Sequence, residues 1–271
     1  MNYLAVDIEI TDSQQSEQLV ALLSGYGFEG FEETEHTLQA FIPEENFVED
    51  DFNTIIQLFS SLKYTKTVIE NINWNQQWEE SFEPVIVDNF VAIRAHFHKP
   101  ITNVQYEIII TPKMSFGTGH HATTYLVIQQ MEAIDFKQKT VLDFGTGTGI
   151  LAILAEKLGA GNVWAIDNDE WSITNAKENI TQNNCTKINI EQHNTIPIFT
   201  KYDVVLANIN LNVITANLGA LELVTKPGCT IIFSGFLKQD ENTMKDNIKS
   251  AGFQYISTHS KGNWIAIKAE K

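Results

Sequence analysis

Residues 140–169 read TVLDFGTGTGILAILAEKLGAGNVWAIDND: strand, glycine-rich turn, helix, and a second strand that closes on an acid. Val141 to Phe144 is apolar on both faces, as a central parallel strand must be when helices cover it above and below. Gly145, Gly147 and Gly149 let the backbone turn sharply and approach a ligand where a side chain would collide. The helix from Ile150 to Leu158 begins at once and presents its unpaired N–H groups to whatever sits over the turn. Asp167 ends the following strand 22 residues after Gly145, where a carboxylate can accept both hydroxyl hydrogens of a ribose. Together these features predict a nucleoside-binding βαβ unit in an α/β fold.

The glycine spacing separates two ligand classes. A dinucleotide needs G-x-G-x-x-G so that its pyrophosphate can rest on the helix N-terminus, whereas this turn is G-x-G-x-G and follows Asp143. A carboxylate there repels a pyrophosphate but can hold the ammonium of a methionine moiety, directly or through water. The expected cofactor is therefore S-adenosylmethionine. Downstream, Tyr202 to Ala207 forms another buried strand ending in Asn208-Ile209-Asn210-Leu211, and Lys226-Pro227-Gly228 turns into the strand Cys229 to Ser234. Phe253 to His259 and Trp264 to Ala269 close the chain as an antiparallel hairpin. A terminal hairpin on a parallel sheet suits a class I methyltransferase, with a Rossmann-like, seven-stranded sheet, rather than a dehydrogenase.

Charge is distributed unevenly. Residues 1–80 hold 16 acids against Lys63 and Lys66, a balance of −14, while residues 81–271 hold 18 acids against 16 bases, a balance of −2. The overall −16 argues against direct contact with nucleic acid, which needs a basic surface, and favours a basic protein partner. No apolar run reaches eighteen residues, and the start of the chain lacks the pattern of a secretory signal, so a cytoplasmic protein that enters no membrane is expected. Cys185 and Cys229 are isolated in sequence, which removes any thiolate zinc site built from closely spaced pairs.

Three segments are expected: an acidic substrate-recognition domain at 1–72, a linker helix with connecting strands at 73–113, and the methyltransferase domain at 114–271. In the first, strand Tyr3 to Ile10, helix Ser13 to Tyr26, strands Phe28 to Glu35 and Thr37 to Ile42, helix Val48 to Leu62 and a strand from Lys66 to Ile72 give the β-α-β-β-α-β order of a small ferredoxin-like α+β domain. Trp74, Trp78 and Phe82 recur at helical spacing as one apolar stripe of a connector that Pro84 ends. Strands then run from Val85 to Ile93 and from Val104 to Ile110. His96 and His98 share one strand face without a third ligand, so a metal is not expected.

The segment Met114 to Thr124, MSFGTGHHATT, together with DFGTGTGILAI, Asn208-Ile209 and the closing GNWIAIK, resembles the ribosomal protein L-eleven methyltransferase family from residue 73 onward. That resemblance implies methyl groups on lysine ε-amines and the α-amine of that ribosomal protein. By matching positions it places Thr124, Gly145, Asp167 and Asn208 on the cofactor. Gly147 belongs to the same turn, and Phe116 is expected to pack as a lid on the methionine side. Asn208 is the expected catalytic residue, its side-chain carbonyl accepting an N–H of the amine. His120 and His121 are candidates for a base or for holding the loop shut. Where the family usually has Asp-Pro-Gly and Asn-Ile-Leu, this chain has Thr111-Pro112-Lys113 and Asn208-Ile209-Asn210, and the second change falls where it could alter the acceptor pocket. Those departures keep open a methyltransferase for another protein or a small amine; a cofactor-binding ribosome assembly factor without turnover is the rival outside enzymes. A monomer is expected.

Overall fold

The computed structural model describes residues 2–34, 36–59, 62–69, 82–112 and 119–271. Phe116, Trp74, Trp78 and most of the 73–84 connector lie outside them. The chain divides into two compact units between Ser81 and Phe82.

The small unit contains β1 (Tyr3–Glu9), α1 (Ser13–Tyr26), β2 (Gly30–Glu33), β3 (Thr37–Pro43), α2 (Glu49–Ile56) and β4 (Tyr64–Ile69). Its strands pair antiparallel in the order β2-β3-β1-β4, the arrangement of a ferredoxin-like sheet. Asp12 caps α1 by accepting the Gln15 N–H at 2.8 Å, and Gly27, at φ +121°, ends it. Leu4, Val6, Ile8, Leu19, Leu23, Leu38, Ala40, Ile42 and Phe52 form its core. Asp7, Gln39 and Glu32 lie across one row of the opposite face, where the Gln39 amide donates to Asp7 at 2.6 Å. The second helix stops at Ile56, short of the predicted Leu62. Leu58 and Phe59 continue in tight turns, which lets Phe59, Leu62 and Tyr64 pack against the core.

The large unit opens with β5 (Val85–Val87), β6 (Val91–Ala95) and β7 (Tyr106–Ile110), a three-stranded sheet. The continuous strand expected over Val85 to Ile93 is broken by a turn in which Asp88 takes φ +51°, a conformation that Asp tolerates better than most residues. His96 and His98 fall in the turn after β6, not on a strand face, and the His98 ring accepts the Ala95 N–H at 3.2 Å. Arg94, buried, forms a two-point pair with Glu107 at 2.8 and 3.0 Å and ties down the same turn through the carbonyl of His98. The guanidinium holds the Glu107 carboxyl below its usual range. Strands read from sequence as connecting pieces thus share their core residues Val87, Val91, Ile93, Ile108 and Ile110 with the main layer.

That layer comprises α3 (Ala122–Met131), β8 (Thr140–Phe144), α4 (Ile150–Lys157), β9 (Asn162–Asp167), α5 (Glu170–Gln182), β10 (Ile188–Gln192), β11 (Tyr202–Asn208), α6 (Leu211–Val224), β12 (Thr225–Leu237), α7 (Glu241–Ser250), β13 (Gln254–Lys261) and β14 (Trp264–Glu270). The sheet order is β10-β9-β8-β11-β12-β14-β13. Strands β8 to β12 run parallel, and the last two form the antiparallel hairpin. Lys226-Pro227-Gly228 lies within β12, at a shift in its register against β11. The order of the strands reverses between β8 and β11, and at such a switch point the loops leave in opposite directions and open a crevice at the carboxyl ends.

Two side-chain layers fill the sheet's faces. Val141, Val163, Ala165, Val204 and Leu206 face one cluster, and Leu142, Phe144, Ile166, Val205 and Phe233 the other. Helix α5 meets β7 through a buried row of amides. Asn183 exchanges hydrogen bonds with Ile109 N–H and C=O at 3.0 and 2.6 Å. Asn179 accepts the Thr111 N–H at 2.8 Å and donates to the Thr148 carbonyl at 2.8 Å. Asn175 donates to the Thr111 carbonyl at 3.1 Å. The helix therefore satisfies the free edge of β7 with side chains, and Asn179 joins that edge to the glycine turn.

Candidate active site

A cavity of about 450 Å³ opens at the switch point, lined by His121, Gly145, Gly147, Asp167, Asn168, Ser172, Asn208, Ile209, Asn210, Gly235 and Trp264. That volume suits a nucleoside-sized ligand.

The turn after β8 forms one wall. Gly145, Gly147 and Gly149 take φ of +76°, +53° and +81°, a region that L side chains avoid. A Cβ on Gly145 would stand 2.8 Å from the Ile209 side chain, so the bare backbone there leaves the crevice open. Asp167, at the end of β9, anchors the turn by accepting the Gly147 N–H at 2.9 Å, and its other oxygen accepts the Asp169 N–H at 3.1 Å. Each carboxylate oxygen retains a lone pair for a ribose hydroxyl.

Asp143 does not line the cavity. Its side chain shares the Val141 face of β8, beneath α4, and is fully buried. One oxygen accepts from the Thr146 hydroxyl at 2.6 Å and the Ala152 N–H at 3.1 Å, while Oδ1 has no partner among the described residues. Burial, reinforced by the nearby Asp167 charge, pushes its carboxyl up to about 7 against the hydrogen bonds that pull it down. Of the two expected contacts of Asp143 with a methionine ammonium, directly or through water, the direct one is corrected: the carboxyl clasps the glycine turn from below, because strand alternation turns it inward.

The end of β11 forms the opposite wall. The Asn208 amide donates to the Thr124 hydroxyl at 3.3 Å, and its Oδ1 is buried without a partner among the described residues. Thr124 is buried in the first turn of α3 and is not the cap of that helix. His121 is the cap: its Nδ1 accepts the Thr123 N–H at 3.3 Å and lies 2.7 Å from the Thr123 hydroxyl. Its ring meets Trp264 edge-on at 4.4 Å, and burial lowers its pKa below the usual value. His120 turns elsewhere, with Nε2 2.9 Å from the Glu83 carbonyl and its ring 4.8 Å from Phe82. A small cavity of about 20 Å³ separates Thr124 and Asn208 from the glycine turn and the start of α4.

Thr124, Gly145, Gly147, Asp167 and Asn208 are thus brought together around one crevice. The sequence passed over Asn168, Ser172, Gly235 and Trp264 as lining residues. A signal existed for Gly235: a lone glycine inside a strand often marks a close backbone approach, and here a Cβ would fall 2.3 Å from the Ile209 carbonyl oxygen.

The crevice fits S-adenosylmethionine better than a dinucleotide. Among its described lining residues there is no Lys or Arg to neutralise a pyrophosphate, whereas the bare glycine wall, the carboxylate of Asp167 and the orphaned Asn208 carbonyl suit a nucleoside with an uncharged or cationic tail. Sheet order, glycine turn and terminal acid define a class I S-adenosylmethionine-dependent methyltransferase.

Comparison with known proteins narrows the class. The family model described as Ribosomal protein L11 methyltransferase (PrmA) matches residues 1–271. A Ribosomal protein L11 methyltransferase of Phocaeicola vulgatus is 37% identical over 99% of both chains, and one of Chlorobaculum tepidum is 36% identical over 99% of this chain and 96% of its own. The crystal structure of a ribosomal protein L11 methylase from Lactobacillus delbrueckii subsp. bulgaricus superposes with a TM-score of 0.65 at 29% identity, covering 69% of this chain and 98% of that one. The chain belongs to the ribosomal protein L11 methyltransferase family.

Proposed function

We propose that this protein transfers methyl groups from S-adenosylmethionine to amines of ribosomal protein L11, both lysine ε-amines and the N-terminal α-amine. The observation that carries the chemistry is the pairing, across one crevice, of a glycine turn and the Asp167 carboxylate with the buried Oδ1 of Asn208, which has no partner among the described residues. Asp167 would hold the ribose, Gly145 and Gly147 the methionine portion, and Thr124 would fix the Asn208 amide so that its carbonyl faces the incoming amine. When bound, the cofactor supplies an activated methyl on a good leaving group.

The chain's own work is then positioning and proton control. An unpartnered buried carbonyl costs about 1–3 kcal/mol, a penalty relieved when an amine N–H reaches Asn208. That contact aims the nitrogen lone pair along the line of transfer. A lysine near pKa 10.4 and an α-amine at about 7.7–8.0 must lose a proton first, and withdrawal from water into the crevice lowers both values. His121 is not the base in this scheme. With Nδ1 accepting from Thr123, the neutral ring carries its proton on Nε2 and can only donate there. The proton leaves through solvent at the cavity mouth.

The acidic small unit is the recognition module in this proposal. Its excess of acids suits a basic protein and opposes nucleic acid, and we assign residues 1–72 to substrate recognition, 73–113 to the connection and 114–271 to transfer. A monomer is the proposed state. No helix among the described residues is long and apolar enough to cross a membrane, and the cytoplasm is the proposed compartment. Mass spectrometry of purified ribosomal protein L11 after incubation with enzyme and S-adenosylmethionine tests the assignment. Mass gains in steps of one methyl, absent with Asp167→Ala, are expected. No gain from an enzyme that still binds the cofactor would overturn the substrate.

A further inference from the structure

We propose that Asn210 is a specificity-determining residue that favours an amine adjacent to a carbonyl, the α-amine at the start of a peptide chain, over an isolated lysine ε-amine. The inference rests on the amine-methylating function proposed above and concerns the acceptor side of the same crevice.

Three observations carry it. Asn208 and Asn210 both line the cavity, separated by Ile209, whose side chain is pressed against Gly145 and whose carbonyl lies against Gly235. The Ile209 N–H is also bound to the Ser234 carbonyl at 3.1 Å, so the three residues form a clamped strip rather than a free loop. Next, Asn210 is the N-cap of α6: its Oδ1 accepts the Val213 N–H at 3.0 Å, with backbone at φ −61° and ψ 151°. Capping spends the oxygen and fixes the amide, leaving Nδ2, which has no partner among the described residues, as a donor at the cavity mouth. Finally, Asn208 offers the opposite polarity, an oxygen without a donor. The strip therefore presents one acceptor and, two residues on, one donor.

An α-amine matches that pair. Its nitrogen gives an N–H to Asn208 while the carbonyl of the same residue, attached to the same α-carbon, accepts from Asn210. A lysine nitrogen ends a four-carbon apolar stem and brings no acceptor, so the Asn210 donor is left to water. Because Asn210 is exposed, the gain is that of an ordinary neutral hydrogen bond, about three- to tenfold in rate preference.

Asn210→Gly and Asn210→Asp test this, since glycine is tolerated at a helix cap and aspartate keeps a capping oxygen, and both remove the donor. Initial rates of methylation on purified ribosomal protein L11 are followed by digestion and mass spectrometry, which resolves the N-terminal peptide from lysine-containing ones. The ratio of α-amine to ε-amine methylation should fall about three- to tenfold in Asn210→Gly, and further in Asn210→Asp, whose carboxylate faces the carbonyl oxygen. A ratio equal to wild type in both variants, including equal losses at both kinds of amine, overturns the inference and leaves the methyltransferase assignment intact. Absence of any methylation by the wild-type enzyme overturns that assignment and this inference with it.

Discussion

At the end of β8 the polar groups of the site are already engaged: the Gly147 N–H by Asp167, the Thr146 hydroxyl by Asp143, the Thr148 carbonyl by Asn179. At the end of β11, a neighbouring strand in the same sheet, Asn208 Oδ1 is buried without a partner among the described residues, and Asn210 Nδ2 is unpartnered at the mouth. The first region's turn is held by the chain's own groups, with Asp143 Oδ1 left over beneath it; in the proposed function the second region is completed by a ligand. A wall that must hold a constant cofactor gains from rigidity, since geometry fixed in advance costs nothing at the moment of transfer. A wall that must receive several amines needs polar groups in reserve.

Substitutions can break this comparison from either side. The largest effect is expected where β12 backs the second region. Gly235→Ala places a methyl 2.3 Å from the Ile209 carbonyl at φ +99°, and overpacking together with backbone strain should cost about 2–5 kcal/mol. Gly228→Ala, at φ +78° with open space around it, should cost only about 1–2 kcal/mol of strain. Urea denaturation of both measures the gap, and equal losses would remove the claim that Ile209 is clamped.

Asn179→Leu should cost about 2–4 kcal/mol, because it removes the hydrogen bonds to the part-buried Thr111 N–H and to the Thr148 carbonyl. Faster amide exchange at Thr111, with the rest of β7 protected, would place the damage at that junction. A loss below 0.5 kcal/mol would mean that water replaces the amide and that the glycine turn is not held from α5.

The last test concerns pH. The Asp143 carboxyl rises from 3.8 to about 7 on folding, so between those values the folded state holds a proton that the unfolded chain has released. Its contribution is complete below about pH 4 and is lost as pH rises through 7, with a slope of up to about 1.4 kcal/mol per pH unit. Wild type should therefore lose stability relative to Asp143→Asn between pH 5 and pH 7. Parallel profiles would show that Asp143 ionises normally under the turn.

Much of the first region was legible because its chemistry is local in sequence. The glycine turn, Asp167 and the parallel strands follow from residues 140–169 alone, and the closing hairpin from its GNW turn. A direct contact of Asp143 with the ligand was wrongly expected because a motif was read as a row of ligands; the alternation of Val141, Leu142 and Asp143 already turned that carboxyl inward. The amide row of α5 was missed for a related reason. Asn175, Asn179 and Asn183 look like a solvated helix face until β7 supplies an edge to satisfy. Contacts such as His121 against Trp264 and Gly235 against Ile209 join distant parts of the chain, and no window of sequence contains both partners. The turn at Asp88 escaped because a non-glycine residue took a positive φ.

The central claim is that Asn208 acts on the amine rather than merely supporting the cofactor. Single-turnover transfer to ribosomal protein L11, with S-adenosylmethionine affinity titrated on the same preparations, separates the two for Asn208→Ala. Loss of a positioned carbonyl acceptor should slow transfer by about 10²-fold or more while cofactor affinity changes by less than about tenfold, the worth of one neutral hydrogen bond. Transfer at the wild-type rate, or a loss that cofactor saturation fully restores, would contradict the account.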